Sequence, residues 1–312
     1  GEKMSKSKGN VVAPEKVLKQ YGSEILRVWV AMSDYQSDLK ISDNILKQNA
    51  ELYRKIRNTA RFLLANIEGL NEFVSVDKMS VLDKWILNKA KSVFDEIEKA
   101  FALYEFSKGL NKLNNFLVVD LSGIYMDVCK DRLYCDGEFD IHRTGAQTAM
   151  AMIAKKLFST LAPILTYTID ELLEYAPAII KDNAQDVFDL NYYELPEVES
   201  KLNEELLINA KEKFSEAIDT LKKDKTIKTT LELVLYTSNQ ELQQMCQTQL
   251  ADWFLVSEIV EEKQDNCKVS FEVDGSEFEV YISSKHKCPR CWKFTAHKED
   301  ELCSRCSDVL KQ

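Results

Sequence analysis

The sequence predicts a mainly α protein: an antiparallel helical bundle, then a small α/β module, then a four-cysteine knuckle. Three observations predict it. Turn-formers are scarce, 9 Gly and 5 Pro in 312 residues, which favours long helices over a many-stranded sheet. Apolar residues recur at helical period as far as about residue 175. Beyond that, short β-rich runs take over, and four Cys crowd into the last part of the chain.

A polar, Lys- and Ser-rich loop occupies residues 1–10, with no initiator Met at position 1, so a piece of a longer chain is expected. Pro14 opens a short helix and Gly22 closes it, the positions where those residue types fit. Ser23 is the expected N-cap of a second helix, through Trp29. Ser42 caps a longer one, with Ile45, Leu46, Leu52, Ile56, Phe62 and Leu63 near helical period. Ser80 starts another, with Leu82, Trp85, Ile86, Val93, Phe94, Ile97 and Phe101 on one side. The pattern resumes at Phe106 and runs to about Leu133. A further amphipathic stretch covers 143–161, Pro163 breaks it, and 164–175 reads as a last short helix. Long antiparallel helices with short links make a bundle.

Residues 182–196 read as an irregular connection, followed by a helix over 201–222. The runs 231–236, 253–260, 268–273 and 278–282 alternate or are rich in branched residues, and Asp274-Gly275 is a hairpin signal. The expected divisions are 1–41 (loop and connecting helices), 42–196 (bundle), 197–283 (α/β module) and 284–312 (knuckle).

Composition is that of a globular protein, 45% hydrophobic and 29% charged. Charges interrupt every apolar run well short of the roughly 20 residues a membrane span needs. No secretory leader opens the chain, so a cytoplasmic protein is expected. A net charge of −10 argues against a broad nucleic-acid footprint. The tail at 284–312 is the exception, with seven Lys/Arg against four acids.

Of eight Cys, Cys129, Cys135, Cys246 and Cys267 are scattered and read as ordinary buried thiols. Cys288, Cys291, Cys303 and Cys306 form two CxxC pairs eleven residues apart. Each pair makes a tight knuckle presenting two thiolates to one side of an ion, and four thiolates suit tetrahedral zinc. All four positions are then filled by protein, which makes the site structural. A thioredoxin-like dithiol, paired disulfides and an iron–sulfur cluster fit this spacing and setting less well. His286 and His297 are expected to face solvent.

The loop Lys3-Met4-Ser5-Lys6-Ser7-Lys8-Gly9-Asn10 reads on composition alone as a solvated linker. Mobile ammonium groups beside hydroxyls and a Gly can also close over a triphosphate. KMSKS, continuing through Asn10 and Pro14, resembles the signature loop of class I aminoacyl-tRNA synthetases, in the form of the isoleucyl, valyl and leucyl branch. Segments 33–43, 53–63, 130–135, 143–148 and 161–164 resemble the isoleucyl branch, and so does a terminal four-Cys knuckle with Trp292 directly after its second Cys.

The resemblance implies an anticodon-binding bundle and a parent enzyme that activates isoleucine with ATP and Mg2+ and transfers it to tRNA(Ile). Lys6 would contact ATP, supported by Lys3, with Ser5 and Ser7 at the same site. The catalytic sheet, amino-acid pocket and editing domain would lie upstream, so this piece alone is expected to be inactive and monomeric. A valyl or leucyl synthetase piece, or a non-catalytic RNA-binding zinc module, is the alternative. Arg54, Arg57 and Arg61 fall three and four residues apart on one helix face, a solvated face or a phosphate contact. Arg290, Trp292 and Lys293 are candidates for the knuckle's tRNA contact. Trp292 either packs on the metal site or stacks on an unpaired anticodon base.

Overall fold

Helix signals in the sequence mark the first elements of the computed structural model, which describes residues 2–311. Pro14 stands at the start of α1 (Pro14–Tyr21), and Gly22, at φ +86°, follows its end. Helix α2 (Ser23–Met32) begins on Ser23 itself. Gly22 holds the cap position and Ser23 is not the expected capping side chain. Ser42 does cap α3 (Asp43–Asn66), its Oγ accepting from Ile45 N. Ser80 and Asp83 close a reciprocal capping box on α4 (Val81–Ala102), leaving neither orphan N–H unpaired.

The helix expected over 106–133 is three pieces. Between α5 (Phe106–Asn115) and α6 (Met126–Cys135) runs a π-helix, Phe116–Tyr125. Gly123 permits it: a Cβ there would lie 2.8 Å from the Val118 carbonyl oxygen, which the wider turn brings underneath. Helix α7 (Ile141–Leu161) is buried on all sides from Gly145 to Phe158 rather than amphipathic. Its two lysines are neutralised in place. Lys156 pairs with Glu98 and sits 4.2 Å over the Tyr192 ring; Lys155 pairs with Asp182 and sits 4.9 Å over Tyr193. The segment 182–196 is thereby tied to α7, after α8 (Thr166–Tyr175) and α9 (Ala178–Lys181).

The rest comprises α10 (Glu204–Lys223), β1 (Leu233–Thr237), α11 (Gln240–Gln243), α12 (Gln247–Phe254), β2 (Glu258–Val260), β3 (Val269–Val273), β4 (Ser276–Ile282), β5 (His286–Lys287), β6 (Phe294–Ala296) and α13 (Ser304–Val309). The four-stranded sheet has the order β2-β1-β4-β3, with β1 parallel to β2 and antiparallel to β4. Asp274 and Gly275, at φ +48° and +74°, make the tight β3–β4 turn that their residue types favour. Helix α10 lies on the sheet, where Phe214 meets Phe254 and Phe271. The run 253–260 is only partly strand. Trp253 and Phe254 end α12, and the Trp253 indole donates to Leu207 O at 3.0 Å.

The chain divides into two compact units, Gly1–Gly123 with Thr144–Ser200, and Ile124–Arg143 with Lys201–Gln312. Helix α6, expected in the bundle, thus belongs with the α/β part. Cys246 and Cys267, expected to be buried, are exposed; Cys129 and Cys135 are buried as expected. Among the described residues no helix is long and apolar enough to cross a membrane.

Candidate functional site

The two cysteine pairs come together. Ligand atoms of Cys288, Cys291, Cys303 and Cys306 all lie within 4.8 Å of one another, and all four residues are buried. The β5–β6 hairpin carries the first pair, closed by Trp292 N to Cys288 O and Cys288 N to Lys293 O, both 2.9 Å. The second pair straddles the start of α13: Cys303 precedes its first residue, and Cys306 lies one turn in. Sγ of Cys291 and Cys303 are 3.8 Å apart. A tetrahedron with metal–sulfur bonds of about 2.3 Å has edges of about 3.8 Å. The separation fits zinc and is far too long for a disulfide.

Electrostatics prepare the thiols unequally. Burial opposes ionisation of Cys288, but N–H groups of Cys303, Cys291 and Arg290 outweigh it and bring the thiol down to about 6. Burial pushes Cys291 and Cys306 up. A divalent cation would supply the charge that burial withholds.

Around the cluster lies a partly buried charge network that sequence reasoning missed. Arg305, from α13, grips Asp131 of α6 at 2.6 and 2.8 Å and reaches Asp136 at 3.3 Å. Lys293 bridges Asp252 of α12 at 2.7 Å and Asp131 at 3.2 Å. Burial opposes the Asp131 charge, yet Arg305 and Lys293 hold its carboxyl below the usual range. Burial raises Asp136 to about 6 in spite of Arg305. Cys135 joins the cysteines in one apolar cluster. No spacing signal could have announced these pairs, because their members lie far apart in sequence.

Lys293 therefore does not offer its ammonium at the surface: it is 7% exposed and ion-paired. Arg290 also turns inward. Its Nη1 donates to the Cys135 carbonyl oxygen and stands 3.5 Å from Cys306 Sγ. Trp292 remains outside. It is 61% exposed, has φ +66°, and carries the Lys287 ammonium 5.5 Å from its ring centre. With Tyr134, Leu231, Leu255 and Val256 it lines a cavity of about 530 Å3.

The arginine stripe on α3 is largely occupied. Arg54 pairs with Glu51, one turn away. Arg57 makes a two-pronged pair with Glu171 of α8, at 2.7 and 2.6 Å. Arg61 is exposed and, with Arg57 and Tyr175, borders a groove of about 740 Å3.

In the lysine loop, Lys6–Lys8 form a single 3-10 turn. Lys3 and Lys6 are exposed, whereas Lys8 pairs with Glu2 at 3.2 Å. The Ser5 and Ser7 hydroxyls lie 2.6 Å apart.

Residues 83–238 match the family model of the anticodon-binding domain of tRNA ligase, and residues 1–42 that of class I tRNA synthetases (I, L, M and V). An isoleucine--tRNA ligase of Aliarcobacter butzleri is 69% identical over 312 residues, covering 100% of this chain and 34% of its own. Isoleucine--tRNA ligases of Nitratiruptor sp. and Campylobacter lari are 55% and 56% identical over 310 and 311 residues, each again covered to 34%. The chain spans about a third of the length of these relatives.

Proposed function

Because the chain belongs to the isoleucine--tRNA ligase family of class I tRNA synthetases, we propose that it is the part of such an enzyme that grips tRNA(Ile) and supplies the ATP loop. The parent reaction is then activation of isoleucine by ATP with Mg2+, followed by transfer to tRNA in the cytoplasm by a monomer. One observation carries this reading: a single chain holds both the lysine signature and, over residues 83–238, the match to an anticodon-binding domain. The relatives described above are isoleucine--tRNA ligases, which favours isoleucine over valine or leucine.

In this reading Lys6 contacts the ATP phosphates and Lys3 assists. Ammonium groups placed there stabilise charge that grows on departing pyrophosphate. Their exposure supports this role, as do the Ser5 and Ser7 hydroxyls beside them. Cys288, Cys291, Cys303 and Cys306 hold one zinc ion, which supplies no reactive water and fixes the knuckle.

For tRNA, Arg61 is the member of the arginine stripe best placed to meet a phosphate. Arg54 and Arg57 must first leave a carboxylate. Trp292 is the stacking candidate, presented at the mouth of an apolar cavity. Arg290 and Lys293 act by holding the knuckle together, not by direct contact. The test is charging by the full-length protein with isoleucine, valine and leucine in turn; preference for valine or leucine overturns the assignment. This chain alone should catalyse no isoleucine-dependent pyrophosphate exchange, because its loop stabilises a transition state that other residues must assemble.

A further inference from the structure

The lysine loop is exposed and rich in Ser, Lys and Gly, a composition with little intrinsic order. Yet its backbone is tied at four points. Lys8 N donates to Ser5 O and Gly9 N to Lys6 O, both at 3.2 Å, with Gly9 in the left-handed region at φ +65°. The other two ties come from one side chain. Asn10 Oδ1 accepts from Ser5 N at 2.8 Å, and Asn10 Nδ2 donates to Lys3 O at 3.2 Å. A local Asn turn would bond two residues away. These bonds instead reach back five and seven residues and staple the Lys3 carbonyl and the Ser5 amide, next to Lys6, to one planar amide. Asn10 and Ser5 are half-buried while both lysines stay exposed.

We infer that Asn10 is the positioning residue of this loop: its carboxamide sets the backbone from which Lys3 and Lys6 reach the triphosphate. The inference rests on the reading of those lysines as the ATP-loop pair. A lysine side chain has four rotatable bonds, so the chain can preset only where the ammonium starts from. Fixing the Lys3 carbonyl and the Ser5 amide together restricts that origin before ATP arrives. Asp at position 10 keeps an acceptor for Ser5 N–H but has no donor for Lys3 O, and it brings a negative charge beside the phosphates.

The test uses the full-length enzyme and isoleucine-dependent ATP–pyrophosphate exchange. Asn10→Ala should lower kcat by about tenfold or more, with KM for isoleucine and affinity for tRNA unchanged. Asn10→Asp should not restore it. The decisive readout is the triple variant. If Asn10 acts through the lysines, adding Asn10→Ala to Lys3→Ala/Lys6→Ala slows exchange no further. Effects that multiply, or an Asn10→Ala enzyme as fast as the parent, overturn the inference. Should Lys6→Ala leave exchange intact, the loop reading itself falls and Asn10 with it. Should Lys6→Ala cripple exchange while Asn10→Ala does not, only the staple is wrong.

Discussion

Arg305 holds Asp131 with both of its terminal nitrogens, 174 residues away in sequence, at 2.6 and 2.8 Å. The pair joins the knuckle to α6, and Lys293 extends the join to Asp252 on α12. Asp131 and Arg305 are 14% and 30% exposed and Lys293 is buried, so removing the carboxylate they share leaves both cations poorly compensated, at a cost of about 2 kcal/mol or more. Asp131→Ala is therefore expected to lower the unfolding free energy by roughly that amount, measured by denaturant titration of zinc-loaded protein. A loss below about 1 kcal/mol, typical of surface pairs, would show that the network is solvated in solution.

One zinc ion per chain is expected, bound by the four cysteines. Elemental analysis of protein never exposed to acid or chelator checks this, and a metal-free result in reduced protein overturns it. Cys288→Ser should lower zinc content and expose residues 284–312 to protease, because the knuckle has few apolar contacts beyond its own cluster. Residues 83–123, in the other compact unit, should stay protected.

Trp292 occupies a left-handed backbone position that suits Gly and strains a bulky residue. Trp292→Gly should therefore keep zinc and leave the knuckle as stable or slightly more so, by up to about 1 kcal/mol. If Trp292 stacks on a base, the same variant loses about 1–3 kcal/mol of tRNA affinity. Loss of zinc instead marks Trp292 as packing for the metal site. Unchanged affinity in a metal-loaded variant removes its tRNA role. Lys287→Ala should mainly reduce the salt dependence of binding.

Hydrogen bonds from the Arg57 guanidinium hold the Glu171 carboxyl below its usual range, against a smaller effect of burial. A carboxylate with a lowered folded-state value contributes stability at pH above its unfolded value, about 4.3, and loses it as pH falls through the folded value. Glu171→Gln should thus destabilise at neutral pH, by less than about 1 kcal/mol since the pair is half exposed. The difference from the parent should vanish in acid. Denaturant titrations at neutral and acidic pH decide it; a gap that persists in acid points to packing instead.

Arg61→Ala separates binding from folding on the same helix. It should weaken tRNA binding and reduce the salt slope by about 1 without moving stability. Arg57→Ala should do the opposite, losing stability first, because its guanidinium already has a partner. An Arg61→Ala protein with unaltered tRNA affinity over a range of salt removes the groove beside α8 from the interface.

Local chemistry determined much of this protein from its sequence. Pro14, Gly22, Ser42 and Ser80 mark helix ends because the groups they satisfy or terminate lie within four residues. Asp274-Gly275 marks the hairpin for the same reason. The cysteine spacing announced a four-thiolate site, since each CxxC pair is a local knuckle, and KMSKS was legible as a contiguous string. Tertiary structure decided the rest. Periodicity could not reveal that 116–125 winds as a π-helix, which depends on Gly123 admitting the Val118 carbonyl. Nor could it show that α7 is enclosed, because Lys155 and Lys156 look solvent-facing until Tyr192, Tyr193 and their carboxylate partners surround them. Lys293 and Arg290 read as basic surface from composition and turned inward because Asp252, Asp131 and the Cys135 carbonyl, all distant in sequence, form their receptors. A side chain's charge is written in the sequence; whether that charge meets water or a buried partner is settled by contacts between residues tens to well over a hundred positions apart.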